Sequence, residues 1–274
     1  MTRAPLALAS VALVAAGCTS GGSHSRATTT KRQVVVTHPR RHHAALPSPR
    51  EQRRALRRLV RIGYPVYCGG RRARVVALTF DDGPGAYTPI ALRMLRRAHA
   101  RATFFLVGKE LQYFPGYPRR ETSLAALGDH TWTHSFMPHL SPQETWSELA
   151  QTKQAVVRAS GARVMLYRPP YGARSPAASA AARRLGLVEV VWSVDSRDSE
   201  GADPPHILAN VTAGLHPGAI VLMHENRGQT LKALKAIMRR AKQRQLRMLT
   251  LPELLTVDPP SRKQLRLGIA GCSR

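Results

Sequence analysis

Val75-Val76-Ala77-Leu78-Thr79-Phe80-Asp81-Asp82-Gly83-Pro84 is the stretch that organises this chain of 274 residues. Its first six residues are apolar or β-branched, a composition typical of a buried strand. The Asp-Asp-Gly-Pro that follows is typical of a turn. The sequence therefore predicts a buried strand that ends at a turn carrying two carboxylates.

Further strands alternate with helices after this stretch. We predict strands over residues 102–107, 164–167, 187–192, 219–223 and 246–251, and helices over 89–98, 144–160, 176–185 and 231–243. Such alternation predicts an α/β fold with a parallel sheet. Six or seven repeats within roughly 180 residues favour a barrel over an open sheet.

Polar residues follow the predicted strands, where the functional groups of such barrels gather. They are Asp81 and Asp82 after the first strand, His130 and His134 between the strands at 102–107 and 164–167, Arg168 to Gly172 after 164–167, Asp195 and Asp198 after 187–192, and His224 after 219–223. A carboxylate with two histidines is a recognised set of zinc ligands. Each motif alone is more often structural, but five of them in order at strand ends indicate a catalytic site.

This ordered set resembles the polysaccharide deacetylase family, also called the NodB-type domain or carbohydrate esterase family four. The resemblance covers residues 74–257, and Thr79 to Pro84 match the first family motif in full. It implies a distorted (β/α)₇ barrel and a hydrolase that removes N-acetyl groups from a polysaccharide, such as peptidoglycan or a chitin-like glycan.

The resemblance also implies a role for each matched residue. Asp81 is the expected base, and Asp82, His130 and His134 are the expected ligands of Zn²⁺, with Co²⁺ as the alternative ion. The third motif, Arg168 to Tyr171, is expected to line the substrate groove of the active site through Pro170 and Tyr171. The Tyr171 backbone N–H is expected to hold the oxyanion.

Two later motifs complete the expected site. Asp198 is expected to orient Arg168, while His224, after Leu222 in the fifth motif, is the expected acid and Leu222 lines the substrate site. The family has Trp after the Asp of the fourth motif, but Ser199 stands there. We therefore expect Trp132 or Trp192 to supply that wall of the acetyl pocket.

The N-terminal residues predict export. Residues 1–18 combine a positive start, an apolar run and Ala15-Ala16-Gly17-Cys18, which resembles a bacterial lipobox with Cys18 as the lipidated residue. Secretion with cleavage nearby is the alternative. We expect a basic flexible tether over 19–48, a short basic helix and lead-in over 49–73, and a C-terminal tail over 258–274.

The remaining cysteines, Cys68 and Cys272, flank the predicted barrel. A disulfide between them is plausible in an oxidising compartment, and two free thiols are the alternative.

The net charge of +26 is unevenly distributed, since residues 26–74 contain 14 Lys or Arg and one acid. This charge suggests contact with anionic cell-wall polymers or lipid headgroups. We expect a monomer and no nucleic-acid partner, because the chain has an export signal and no recognised nucleic-acid motif. Two other functions remain open: an O-deacetylase of the acetylxylan type, and a non-catalytic anchored module.

Overall fold

A curled parallel β-sheet wrapped by helices forms the core of the structure, a computed structural model that describes residues 45–272. Within these residues eight strands pair. They are β1 (Val75–Gly83), β2 (Ala102–Leu106), β3 (Ala125–Asp129), β4 (Leu166–Tyr167), β5 (Val188–Glu189), β6 (Val194–Asp195), β7 (Ile220–His224) and β8 (Arg247–Met248).

The strand order confirms the predicted distorted (β/α)₇ barrel. Seven strands run parallel in the order β5-β4-β3-β2-β1-β7-β6, and β8 pairs with the start of β1. The ladder has no pairing between β5 and β6 among the residues described, so the barrel is incompletely closed. All carboxyl ends of the strands therefore lie at one end of the barrel.

Strand β1 is buried inside the sheet, as its composition predicts. It pairs with β2 on one side and β7 on the other, and its residues from Val75 to Phe80 are all buried. The register with β7 places Asp81 opposite His224. The pairing of these two strands thus brings the first and fifth sequence motifs side by side.

Helices cover the sheet. They are α1 (Pro49–Ile62), α2 (Thr88–Ala98), α3 (Tyr117–Glu121), α4 (Pro142–Ser160), α5 (Pro176–Arg184), α6 (Pro204–Gly214), α7 (Gly228–Gln243), α8 (Leu251–Val257) and α9 (Arg262–Leu267). In the part of the chain described, no helix is long and apolar enough to span a membrane.

The predicted position of the end of the last strand, residue 251, is wrong. Residues 246–251 were expected to be extended, but only Arg247–Met248 pair as β8, and Leu251 begins α8. The reason is a capping box, in which the Thr250 hydroxyl accepts from the Glu253 N–H and the Glu253 carboxylate accepts from the Thr250 N–H. These two hydrogen bonds satisfy donors that a helix start otherwise leaves unpaired.

Helix α1 and the lead-in after it pack on the barrel. Leu56 and Leu59 of α1 are buried in one cluster with Val75 and Ile220, which lie at the starts of β1 and β7. Residue Val66 then bridges to Val190 beyond the end of β5, and the N–H of Gly69 donates to the carbonyl of Gly218. The lead-in thus lies along the opening of the barrel, and α1 covers the amino ends of its strands.

The predicted disulfide is present between Cys68 and Cys272, which are separated by 204 residues. It joins the lead-in to the segment after α9. Nearby, the buried carboxylate of Asp258 accepts from the Ala73 N–H at 2.7 Å and pairs with Arg72. The predicted signal segment with Cys18, and most of the predicted tether, lie outside the described residues.

Candidate active site

The chemistry-bearing side chains gather at the carboxyl ends of the strands. Asp81 and Asp82 lie in the last part of β1, His130 directly follows β3, and His224 ends β7. Because these strands are parallel neighbours in the sheet, their ends converge on one region. The site that the sequence predicts is therefore formed by the fold.

Asp82, His130 and His134 form a cluster suited to a metal ion. One ligand atom from each lies within 4.8 Å of the others. The Oδ1 atom of Asp82 is 3.1 Å from His134 Nε2 and 3.5 Å from His130 Nε2. The other ring nitrogens are engaged, since His130 Nδ1 lies 2.8 Å from the Arg168 carbonyl and His134 Nδ1 lies 3.2 Å from the Tyr171 hydroxyl. Such outer partners orient imidazoles that ligate metals.

The donor set fits a divalent cation. Asp82 Oδ1 is buried and makes no hydrogen bond of good geometry with the residues described. Burial raises the pKa of Asp82, but the two adjacent imidazoles outweigh it and hold that pKa well below its usual range. One carboxylate and two imidazoles form a three-ligand set that leaves positions open, as catalytic zinc sites do.

Arg168 holds Asp81 in place. Its Nη1 donates to Asp81 Oδ1 and to Thr79 Oγ1, each at 2.8 Å, and its Nη2 donates to the Val191 carbonyl at 3.0 Å. Both Asp81 and Arg168 are buried. Burial lowers the pKa of Arg168, whereas the charge of Asp81 raises it. The guanidinium therefore fixes the orientation of the Asp81 carboxylate.

His224 is paired with Asp198 on the opposite side of the site. Its Nδ1 lies 2.7 Å from Asp198 Oδ1, and its backbone N–H donates to Asp198 Oδ2 at 2.7 Å. Burial alone would lower the pKa of His224, but the hydrogen bond to Asp198 and the charges of Asp81 and Asp82 raise it to about 9. These contacts favour the protonated form of His224.

The expected contact between Asp198 and Arg168 is wrong. Both oxygens of Asp198 are used by His224 and by the Thr230 hydroxyl. Arg168 instead bonds Asp81, and Asp195 is the carboxylate of the fourth motif that acts on Arg168 through its charge. The site thus contains two separate pairs, Asp81 with Arg168 and His224 with Asp198.

The loop after β4 lies beside the metal cluster. Tyr171 has a left-handed φ of 60°, its side chain is largely exposed, and its ring meets that of His134 edge to face at 4.7 Å. Pro170, before it, is buried. Asp82, Thr131 and His134 also have positive φ values, of 69°, 68° and 59°. Such strained backbone at non-glycine residues clusters at functional sites.

Of the two tryptophans considered for the acetyl pocket, Trp192 lies beside the Arg168 loop. A Cβ added at Gly172 would lie 2.8 Å from its ring, and the Arg168 guanidinium is 5.8 Å from the ring centroid. Trp132 instead packs against Gly108, where a Cβ would lie 2.2 Å from the ring, and joins the core cluster. The space over Gly108 admits that ring because glycine has no side chain.

Leu222 is buried in β7, where it pairs with Asp195 of β6. Ser199 lies in the short turn that follows Asp198. Leu222 lies two residues before His224 in β7, so the two side chains emerge on the same face of the strand.

Two polar residues directly after His224 were missed from the sequence. Asn226 Nδ2 donates to Asp82 Oδ2 at 3.3 Å, on the oxygen that does not face the histidines. Glu225 is buried against Gly83, where an added Cβ would lie 1.3 Å from its Oε1. Burial, together with the charges of Asp82 and Asp81, raises the pKa of Glu225 to about 8. Their position after a catalytic motif was the signal that could have found them.

Comparison with known proteins identifies the family. Residues 69–190 match the family model described as polysaccharide deacetylase. The peptidoglycan-N-acetylglucosamine deacetylase PgdA of Listeria monocytogenes is 35% identical over 65% of this chain and 38% of its own length. A chitooligosaccharide deacetylase of Bradyrhizobium is 32% identical over 66% of this chain and 90% of its own length.

A solved structure shares the fold. It is described as a family-four pseudoenzyme from Bacillus anthracis and aligns with a TM-score of 0.67 at 29% identity, covering 70% of this chain and 68% of that one. The chain spans well under half the length of the Listeria relative but nearly all of the Bradyrhizobium one. The chain belongs to the polysaccharide deacetylase family.

Proposed function

We propose that this protein is a metal-dependent hydrolase that removes N-acetyl groups from a polysaccharide. The observation that carries the proposal is the placement of two proton-transfer pairs, Asp81 with Arg168 and His224 with Asp198, around the cluster of Asp82, His130 and His134. The names of the relatives support peptidoglycan or a chitin-like glycan as substrate.

Asp82, His130 and His134 would hold the ion, for which we propose Zn²⁺, with Co²⁺ as a substitute. When bound, the ion supplies Lewis acidity toward the acetyl carbonyl and toward water. The carboxylate and imidazole ligands support this choice, because both suit Zn²⁺.

Asp81 is the proposed general base. Its carboxylate is held by Arg168 and lies beside the cluster, with Oδ2 at 3.7 Å from His130 Nε2. In that position it takes a proton from the attacking water. The proposed Tyr171 N–H then stabilises the oxyanion that develops on the acetyl oxygen, as positioned backbone donors do in acyl transfer.

His224 is the proposed general acid. An amine leaves poorly unless it is protonated, and the raised pKa of His224 keeps a proton available for it at neutral pH. Asp198 holds the imidazole by Nδ1, which leaves Nε2 as the atom that gives the proton to the leaving nitrogen.

The presence of every one of these side chains argues against a non-catalytic module. A family member of the same fold is described as a pseudoenzyme, so the fold alone does not establish activity. In this chain the base, the acid and all three proposed ligands are present and adjacent.

Acetate release tests the proposal. The purified protein is assayed with chitooligosaccharides, peptidoglycan glycan strands and acetylxylan, with and without a chelator. We expect release from an N-acetylated glycan that stops on chelation and returns with Zn²⁺. Acetate release from acetylxylan alone would show that the protein is an O-deacetylase and not an N-deacetylase. Absence of release from every substrate would overturn the enzymatic proposal.

We further propose export, with the protein attached to the outer face of the membrane through a lipid on Cys18 or released from it. The lipobox-like Ala15 to Cys18 and the Cys68–Cys272 disulfide support this location, because disulfides persist in oxidising compartments. Detergent partition of the wild type and Cys18→Ala tests the anchor. Equal membrane association of the two proteins would remove it.

A further inference from the structure

A basic groove lies at the end of the barrel opposite the catalytic cluster. It has a volume of about 1070 Å³ and runs between α1, residues 70–72, the end of α8, and α9. Leu59, in its lining, belongs to the buried cluster at the starts of β1 and β7. The metal cluster follows the ends of β1 and β3, so the groove and the catalytic site face different ends of the barrel.

The lining of this groove is strongly cationic. Within the described residues it contains seven basic side chains and one acidic side chain, Glu51. The basic residues are Arg54, Arg58, Arg61, Arg71, Arg72, Arg262 and Lys263. The carboxylate of Glu51 is already bonded to the N–H and hydroxyl of Ser48 in the capping box of α1. Arg72 pairs with the buried Asp258, and the other six cations outnumber Glu51, so the lining carries a net positive charge.

Two elements from opposite ends of the chain form the banks of the groove. Helix α1 contributes the exposed Arg54, Arg58 and Arg61 together with the buried Leu59. Helix α9 contributes Arg262 and Lys263 and is followed by Cys272, which is bonded to Cys68 shortly before Arg71. The basic charge continues onto the flanks through Arg50, Arg53, Arg57 and Arg266. The covalent link holds the two banks together.

We propose that this groove binds a linear polyanion that carries phosphate groups along its backbone. Arginine, which supplies six of the seven cations, presents paired N–H donors that match phosphate oxygens. A concave channel with cations on both banks contacts a chain along its length, whereas a flat bilayer touches only the rims. Because the groove lies away from the catalytic cluster, the polymer bound there holds the protein in place and is not its substrate.

Binding of inorganic polyphosphate to the full chain tests the proposal. The groove variant is Arg54→Glu with Arg58→Glu and Arg262→Glu, all at exposed positions. The control, Arg93→Glu with Lys235→Glu and Arg239→Glu, changes the net charge equally at exposed positions of α2 and α7. Thermal unfolding verifies that both variants fold.

We expect the groove variant to bind polyphosphate at least about tenfold more weakly and the control less than about twofold. The groove variant should also lower the slope of log affinity against log salt by about 2 to 3. Equal weakening of binding in both variants would show that binding depends on net charge and not on the groove, which would contradict the proposal. Absence of binding by the wild type would also overturn it. Groove-dependent binding to vesicles of anionic lipid, without binding to polyphosphate, would contradict the proposal and show that the groove binds a membrane surface instead.

Discussion

Asp81 and Asp82 are adjacent in sequence but have different partners. Asp81 bonds Arg168 and is buried, whereas Asp82 faces His130 and His134. Successive side chains of a regular strand point to opposite faces, yet both carboxylates approach His130 Nε2, Asp81 Oδ2 at 3.7 Å and Asp82 Oδ1 at 3.5 Å. The left-handed φ of 69° at Asp82 marks the break in the regular strand. The proposed base and the proposed ligand therefore face the same site and differ in their partners, Arg168 for Asp81 and His134 for Asp82.

The pair of His224 and Asp198 makes a prediction for pH dependence. His224 acts as an acid only when protonated, so activity should fall as the pH rises through its pKa of about 9. A bound cation adds positive charge nearby, which lowers the pKa of His224 and moves this fall in activity toward lower pH. Asp198→Asn removes a partner that raises the pKa, so the alkaline limb of kcat should move down by at least about one pH unit.

Asp203→Asn is the matched control, since Asp203 is an exposed carboxylate that caps α6. The alkaline limb of this variant should coincide with that of the wild type. An Asp198→Asn profile with an unmoved limb would show that His224 is not the group whose ionisation limits the reaction.

The site residues were largely predictable from the sequence, but their pairing was not. Asp82, His130 and His134 converge because parallel strand ends meet, which follows from the order of motifs alone. The partner of Asp198 depends on how the turn after β6 folds back on β7. The contact between Asp198 and His224 that results leaves no pattern in the sequence. Arg168 was therefore assigned to the wrong carboxylate.

At the scale of elements, α1 is part of the barrel rather than a flank of it. The structure places the predicted short basic helix at the start of the 49–73 segment, and it buries Leu56 and Leu59 against the barrel. Removing this helix would uncover the apolar ends of β1 and β7. Its basic side must therefore be studied by substitution and not by deletion.

Leu59→Ala should lower the free energy of unfolding by about 2 to 5 kcal/mol, as truncation of buried leucines does. Urea denaturation measures this change. Arg57→Ala, on the exposed side of the same helix, should stay within about 0.5 kcal/mol of the wild type. Equal stability of Leu59→Ala and the wild type would mean that α1 does not pack on the barrel in solution.

Long periodic helices and the buried strand β1 were predictable, whereas the shortest elements were not. The apolar run of β1 and the helix α4 have patterns that extend over many residues. Strand β6 contains two residues, too few for a period to show. The start of helix α8 was missed because it lies within an apolar run that was interpreted as a strand. The signal for its start is the capping box of Thr250 and Glu253.

At the scale of the whole molecule, the disulfide closes a long loop. Cys68 and Cys272 are 204 residues apart, and the link between them encloses nearly the entire barrel. By the chain-entropy model, a cross-link over such a distance stabilises the fold by about 5 kcal/mol, mainly through the unfolded state.

The double variant Cys68→Ser with Cys272→Ser should therefore unfold at a clearly lower temperature than the oxidised wild type. Differential scanning calorimetry compares the two, and reduction of the wild type serves as the control. The reduced wild type should approach the double variant. Two reactive thiols in the unreduced mature protein would contradict the pairing.

Asp81→Asn provides the most direct test of the central claim, that a metal held by Asp82, His130 and His134 works with Asp81 as base. The measurement is the rate of acetate release from a chitooligosaccharide per bound metal ion. Asp81→Asn should bind metal like the wild type, because Asp81 is not a proposed ligand, and its rate should fall by about two to four orders of magnitude. A rate near that of the wild type at full metal occupancy would contradict the mechanism.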